Sequence, residues 1–135
     1  MVECFRIYYP TSAAGRKQWA SKYGLNAYYS GKHWAQRKQD AEYWHLLTRS
    51  AMNKQGVRNR PFEKPVEIAF LWNDRLDIDN HSIMGKMIVD AMKGRLINED
   101  SRRWVKAVYH SFHDEDYILV QVREIESEGK NGKDK

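Results

Sequence analysis

From Asn80 to Lys93 the apolar residues Ile83, Met84, Met87, Ile88, Ala91 and Met92 recur at the spacing of one helical face. A helix with so apolar a stripe has to bury it against a partner surface, which limits what the chain can become. Gly94 follows as a C-cap, and Pro65 to Trp72 just upstream reads as a strand. The two together predict a sheet with a helix laid against it.

The remaining segments extend that plan. Residues 2 to 9, with Val2, Phe5, Ile7, Tyr8 and Tyr9, read as a first strand closed by Pro10. Residues 11 to 32 hold Gly15, Gly24, Asn26 and Gly31 without a clean period, so loops are expected, with at most a short helix near Arg16 to Tyr23. Ser30 is placed to cap a helix over Lys32 to Met52, whose stripe would take Trp34, Ala41, Trp44, Leu47 or Thr48, and Ala51. Residues 53 to 64 read as a connecting loop. The segments 103–112 and 117–125 are rich in Val, Ile, Tyr and Trp, and the polar bridge from His113 to Asp116 marks them as a hairpin. The fold class expected is α+β: a small single domain over residues 1–126, with a mixed or antiparallel sheet of about four strands packed against two main helices. The polar tail, residues 127–135, is expected to be disordered.

A chain of 135 residues suits one domain with a real core. Its longest apolar run, Ile68 to Trp72, is five residues, far short of the roughly 20 that a membrane helix needs. No basic region precedes a sustained apolar segment at the N-terminus, so a cytoplasmic protein without a secretory signal is expected. Cys4 is the only cysteine, which excludes an internal disulfide and a zinc-ribbon site; within an alternating segment it reads as a small buried hydrophobe.

The net charge of +5 points towards a phosphate-rich partner. Much of the excess lies between residues 16 and 60, where Arg16, Lys17, Lys22, Arg37, Lys38 and Arg49 alternate with Trp19, Tyr23, Trp34, Tyr43 and Trp44. Cations can meet phosphates and rings can stack on exposed bases. A solvated basic face over an aromatic core accounts for the same composition equally well.

The segment carrying chemistry is Asn73 to Asp100. If the strand continues through it, its period of two puts Asp77 and Asp79 on one side, as a pair of hard oxygen ligands. Asp79 or Asn80 would then cap the helix, whose positive end favours an anion. On a continuous helix, Lys86 and Asp90 fall about 20° to either side of Asp79. Asn98, Glu99 and Asp100 arrive after a loop that begins at Gly94 and can offer another carboxylate. Carboxylates gathered without counter-charges repel, so such a set favours Mg²⁺ or Mn²⁺. The plainer alternative makes Asp77 and Asp79 turn and cap residues and Asp100 a solvated loop acid. The five histidines, His33, His45, His81, His110 and His113, show no recognisable metal spacing, and His81 reads as a first-turn residue of the helix.

The combined pattern of Asp77-Ile78-Asp79-Asn80, a Lys on the following helix, Asp90-Ala91-Met92 near its end and Asn98-Glu99-Asp100 beyond resembles the signature of the RusA family of Holliday junction resolvases. The likeness spans roughly residues 65 to 125, and Asn26 with Tyr28 and Tyr29 resembles the family's N-terminal loop. It implies a small α+β fold, a homodimer, and Mg²⁺-dependent symmetric cutting of four-way junction DNA. Asp77, Asp79 and Asp100 resemble the metal-binding catalytic acids, and Lys86 the catalytic lysine. The chain departs from the pattern in three places: Lys86 lies further beyond Asp79 than is usual, Leu76 stands where an Arg is common, with Arg75 one place earlier, and Glu99 replaces the first acid of an Asp pair. Two rival readings remain: a non-catalytic nucleic-acid-binding module, and a metal-dependent nuclease acting on flaps or single strands.

Overall fold

The computed structural model describes residues 1–29 and 31–126; the Ser30 cap, the side chains of Tyr28 and Tyr29, and the tail 127–135 fall outside the described residues. The chain runs β1 (Val2–Tyr8), α1 (Ala13–Tyr23), α2 (Leu25–Tyr29), α3 (Trp34–Lys54), β2 (Val66–Trp72), a 3-10 turn (Ile78–His81), α4 (Ser82–Met92), β3 (Val105–Phe112) and β4 (Tyr117–Glu124). The four strands form one mixed sheet in the order β1-β4-β2-β3. Among the described residues no helix is long and apolar enough to cross a membrane.

β2 alternates strictly, and its inward residues Val66, Ile68, Phe70 and Trp72 are at most 1% exposed. The most apolar strand therefore takes a central place, with a neighbour on each side to satisfy its backbone groups. That placement overturns the expected hairpin. β3 pairs parallel with β2, and β4 pairs antiparallel with both β2 and β1. The bridge at 113–116 instead crosses the end of β2, where His113 N donates to the Trp72 carbonyl at 3.0 Å and Asn73 Nδ2 to the Glu115 carbonyl at 2.7 Å. The free edge of β1 is partly closed by Gln55, which accepts from Arg6 N and donates to Arg6 O, both at 2.8 Å.

The inward residues of the sheet, Phe5, Ile7, Ile118, Val120 and Val122 among them, are buried in one core with Trp44 and Met52 of α3 and Met84, Ile88 and Met92 of α4. Cys4 points the other way and is exposed, contrary to its expected burial, because the inward positions of β1 fall to Phe5 and Ile7. In α3 the buried stripe is Asp40, Trp44, Thr48 and Met52, and Trp34 is 70% exposed. The expected stripe holds at Trp44 and Thr48, with Leu47 and Ala51 packed against the core, and fails at Trp34 and Ala41, which are exposed, while buried Asp40 and Met52 lie outside it. Asp40 is buried because Lys32 Nζ reaches its Oδ2 at 2.6 Å and Gln36 donates to its Oδ1 at 3.0 Å. With Ser30 outside the described residues, His33 caps α3, its Nδ1 accepting from Ala35 N at 3.1 Å.

Three aromatics of the basic stretch, Trp19, Tyr23 and Trp44, are consumed by packing. Trp19 stacks on Trp44 with centroids 5.1 Å apart, and Tyr9 and Tyr23 meet Trp19 edge-on at 4.8 and 5.9 Å. Trp34 and Tyr43 remain exposed. Beyond α4, Gly94 at φ +81 turns the chain in a conformation that favours glycine. Leu96 and Ile97 then enter the core. Arg95, 7% exposed, ties this loop to the end of α3 by donating to the carbonyls of Met52, Val57 and Arg58 and to the Asn53 side chain. A cation at a helix C-terminus satisfies carbonyls that the helix leaves open. Arg95→Leu should lower stability by about 2–4 kcal/mol in urea unfolding, since it orphans several buried acceptors at once. Arg95→Lys should recover only part of that loss, because one ammonium cannot span the same acceptors.

Candidate active site

β2 ends at Trp72 because the next backbone amide leaves the sheet: Asn73 N donates to the Tyr9 hydroxyl at 2.8 Å. Asp74 then fixes the turn from inside. Its Oδ1 accepts from Leu76 N at 3.0 Å and from His81 Nε2 at 2.8 Å, and its Oδ2 accepts from the Tyr9 hydroxyl at 3.1 Å. Burial, the largest cause, and the nearby Asp74 charge push the Tyr9 phenol well above the usual tyrosine range, so it stays protonated and able to donate. His81 is fully buried, stacked on Trp72 with centroids 4.5 Å apart, and its Nδ1 lies 3.1 Å from the Ile78 carbonyl. Both of its ring nitrogens thus face oxygen acceptors.

On the outside of this clamp lie Asp77, just before the 3-10 turn, and Asp79 within it, both exposed. Neither carboxylate has a hydrogen bond or ion pair among the described residues. The strand geometry expected for them does not hold, since Trp72 is the last strand residue. The expected cap does not hold either: His81 occupies the N-cap of α4, and the Asn80 side chain instead accepts from Asn26 N at 3.2 Å. Because Asp79 sits in a tighter 3-10 turn, the helical alignment from Asp79 to Lys86 and Asp90 is broken at its start. Its second half survives.

Lys86 Nζ lies 3.3 Å from Asp90, Lys93 Nζ lies 3.2 Å from Asp90, and the same ammonium lies 3.3 Å from Asp100. The Asp90 carboxylate, supported by Asp100, pushes Lys93 above the usual lysine range. Lys86 and Asp100 also border a hollow of about 250 Å³ between α4 and β3, together with Ser82, Gly85, Phe70 and His110. The acids thus divide into two sets, Asp77 with Asp79 on the turn, and Asp90 with Asp100 on a ladder of alternating charge. Among the described residues no three His, Cys, Asp or Glu side chains are gathered as a metal-binding group. Asp77 and Asp79, unpartnered and made of hard oxygens, have the donor chemistry that Mg²⁺ takes. Asp100 is already engaged by Lys93.

Residue patterning did not single out Asp74, Tyr9 or His110. Asp74 stands in the same acid-rich segment as Asp77, but its role depends on Tyr9, 65 residues away. No model of a known protein family matches the chain, and no curated protein does.

The clamp has measurable consequences. His81→Leu should cost about 3–5 kcal/mol in denaturant unfolding, because it leaves the Asp74 carboxylate buried without its partner. Tyr9→Phe should cost about 1 kcal/mol and speed hydrogen exchange at the Asn73 amide. Unchanged exchange there would mean that the turn is held by something else.

Proposed function

We propose that this chain is a Mg²⁺-dependent endodeoxyribonuclease that cuts four-way junction DNA as a homodimer, with Mn²⁺ able to substitute. The observation that carries the reading is the pair of exposed, unpartnered carboxylates, Asp77 and Asp79, on a turn clamped from beneath by buried Asp74, His81 and Tyr9. The resemblance to the RusA signature over these residues supports the same assignment. Asp77 and Asp79, joined by Asp100 once it leaves Lys93, would hold the metal; when bound, it lowers the pKa of a water and neutralises phosphate charge. Lys86, 67% exposed at its side chain, is free to turn from Asp90 towards a phosphate and offset charge developing there. Exposed cations of α1 and α3, Lys17, Lys22 and Lys38 among them, would meet DNA backbone, so affinity should fall steeply with salt.

A second reading, a nucleic-acid-binding module without catalysis, is favoured by the engagement of Asp100 with Lys93. Cleavage separates the two. With a synthetic four-way junction and Mg²⁺, the parent protein should introduce paired nicks. Asp77→Asn, Asp79→Asn and Asp100→Asn should each abolish nicking and leave binding largely intact, and Lys86→Ala should slow it about 10²-fold. Junction binding without nicking, unchanged by Mg²⁺, would leave the binding module. Preferential cutting of flaps or single strands would keep the metal chemistry and change the substrate.

A further inference from the structure

The hollow between α4 and β3 contains a donor whose direction is fixed by its neighbours. His110 lies half-buried on β3, its ring packed nearly parallel to those of Phe70 at 5.4 Å and Trp72 at 5.9 Å. The Trp72 indole N–H donates to His110 Nδ1 at 3.1 Å. An indole nitrogen can only donate, so Nδ1 must present its lone pair, and the proton of the ring sits on Nε2. An imidazolium would set two N–H groups against each other. Burial of the ring, followed by the charge of His81, pushes His110 below the usual histidine range, which agrees with that neutral form.

Two consequences follow for the hollow. With Nδ1 engaged and Nε2 protonated, His110 has no lone pair left for a metal, so it offers hydrogen-bond donation instead. Nε2 has no partner among the described residues. The helix comes close to the ring because residue 85 is a glycine: a Cβ there would lie 3.2 Å from His110 Cε1 and 3.4 Å from Phe70 Cε2. Lys86, one residue on, brings a flexible cation to the same hollow, and the Asp100 charge at its border is offset by Lys93.

We propose that this hollow is a phosphate subsite, in which the Nε2–H of His110 donates to a non-bridging oxygen of the nucleic-acid backbone and Lys86 supplies the charge. The assignment rests on the nuclease reading for its ligand, but its test requires no cleavage. In the metal-free full-length protein, long-range ¹H–¹⁵N spectra of the histidine rings should show His110 as the Nε2–H tautomer. Titration with inorganic phosphate should shift its Nε2 signal saturably. His110→Phe, which keeps the stack and removes the donor, should weaken phosphate binding about 10-fold or more, as expected for a hydrogen bond to a charged group. Trp72→Phe should release the tautomer and weaken binding by a smaller factor.

An Nδ1–H tautomer in the parent protein, or a phosphate titration that leaves His110 unmoved, overturns the proposal, and both are read without any variant having to fold. Phosphate binding lost in His110→Phe alongside a parent that never nicks DNA would sustain the subsite and remove the nuclease. Nicking with an unchanged KM and unchanged phosphate binding in His110→Phe would do the reverse.

Discussion

The Asp74 carboxylate organises the turn at the end of β2, on which Asp77 and Asp79 stand. It lies at the exit of the central strand and takes hydrogen bonds from His81, Tyr9 and the Leu76 amide. Each of these ties a different part of the fold to one point: Tyr9 follows β1, His81 begins α4, and Leu76 belongs to the turn between. A buried ionic group adds little net stability when its partners are in place, but losing one partner is expensive. That asymmetry makes the pair a device for position more than for stability. It fixes the direction in which the chain leaves β2, and so the outward presentation of Asp77 and Asp79.

Arg95 does a similar job on the other side of α4. The helix is anchored by its apolar face, and the loop beyond it is anchored by one guanidinium reaching the end of α3 and the segment just after it. Asp100 therefore reaches the α4–β3 hollow on a loop whose course is set by buried Leu96, Ile97 and Arg95. Two independent polar clamps thus locate the two sets of acids.

Much of this fold was legible from periodicity. β2 and α4 each carry an apolar repeat that only one secondary structure can use, and both lie where the repeat puts them, as do the other strands to within a residue or two. Pairing was not legible. A short polar bridge between two β-rich runs encodes nearness in sequence, and nothing in it records that β2 lies between them. Buried charged residues were the other blind spot: Asp40 and Arg95 are buried, and partners elsewhere in the chain accept the charge of each. Asp77 and Asp79 were recognisable as chemistry but wrongly set on a strand, since the bond from Asn73 N to Tyr9 that ends β2 spans 64 residues. The basic, aromatic-rich stretch was evenly ambiguous, and the structure divides it: Trp19, Tyr23 and Trp44 pack into the core while Trp34 and Tyr43 stay exposed.

Carboxylates drawn together need a compensating charge, and the fold supplies it unequally. Asp90 and Asp100 alternate with Lys86 and Lys93, so this half of the site is electrically satisfied without a metal. Asp77 and Asp79 have no such cations among the described residues. A divalent ion drawn to that pair would compete with Lys93 for Asp100, and the exchange is inexpensive because the ion pair is about 40% exposed and strongly screened. Release of Lys93 would leave an ammonium beside the hollow that holds Lys86 and the His110 donor, adding positive charge where a phosphate would lie. On this reading the ladder is the resting state of a site whose acids and cations separate when metal and DNA arrive together.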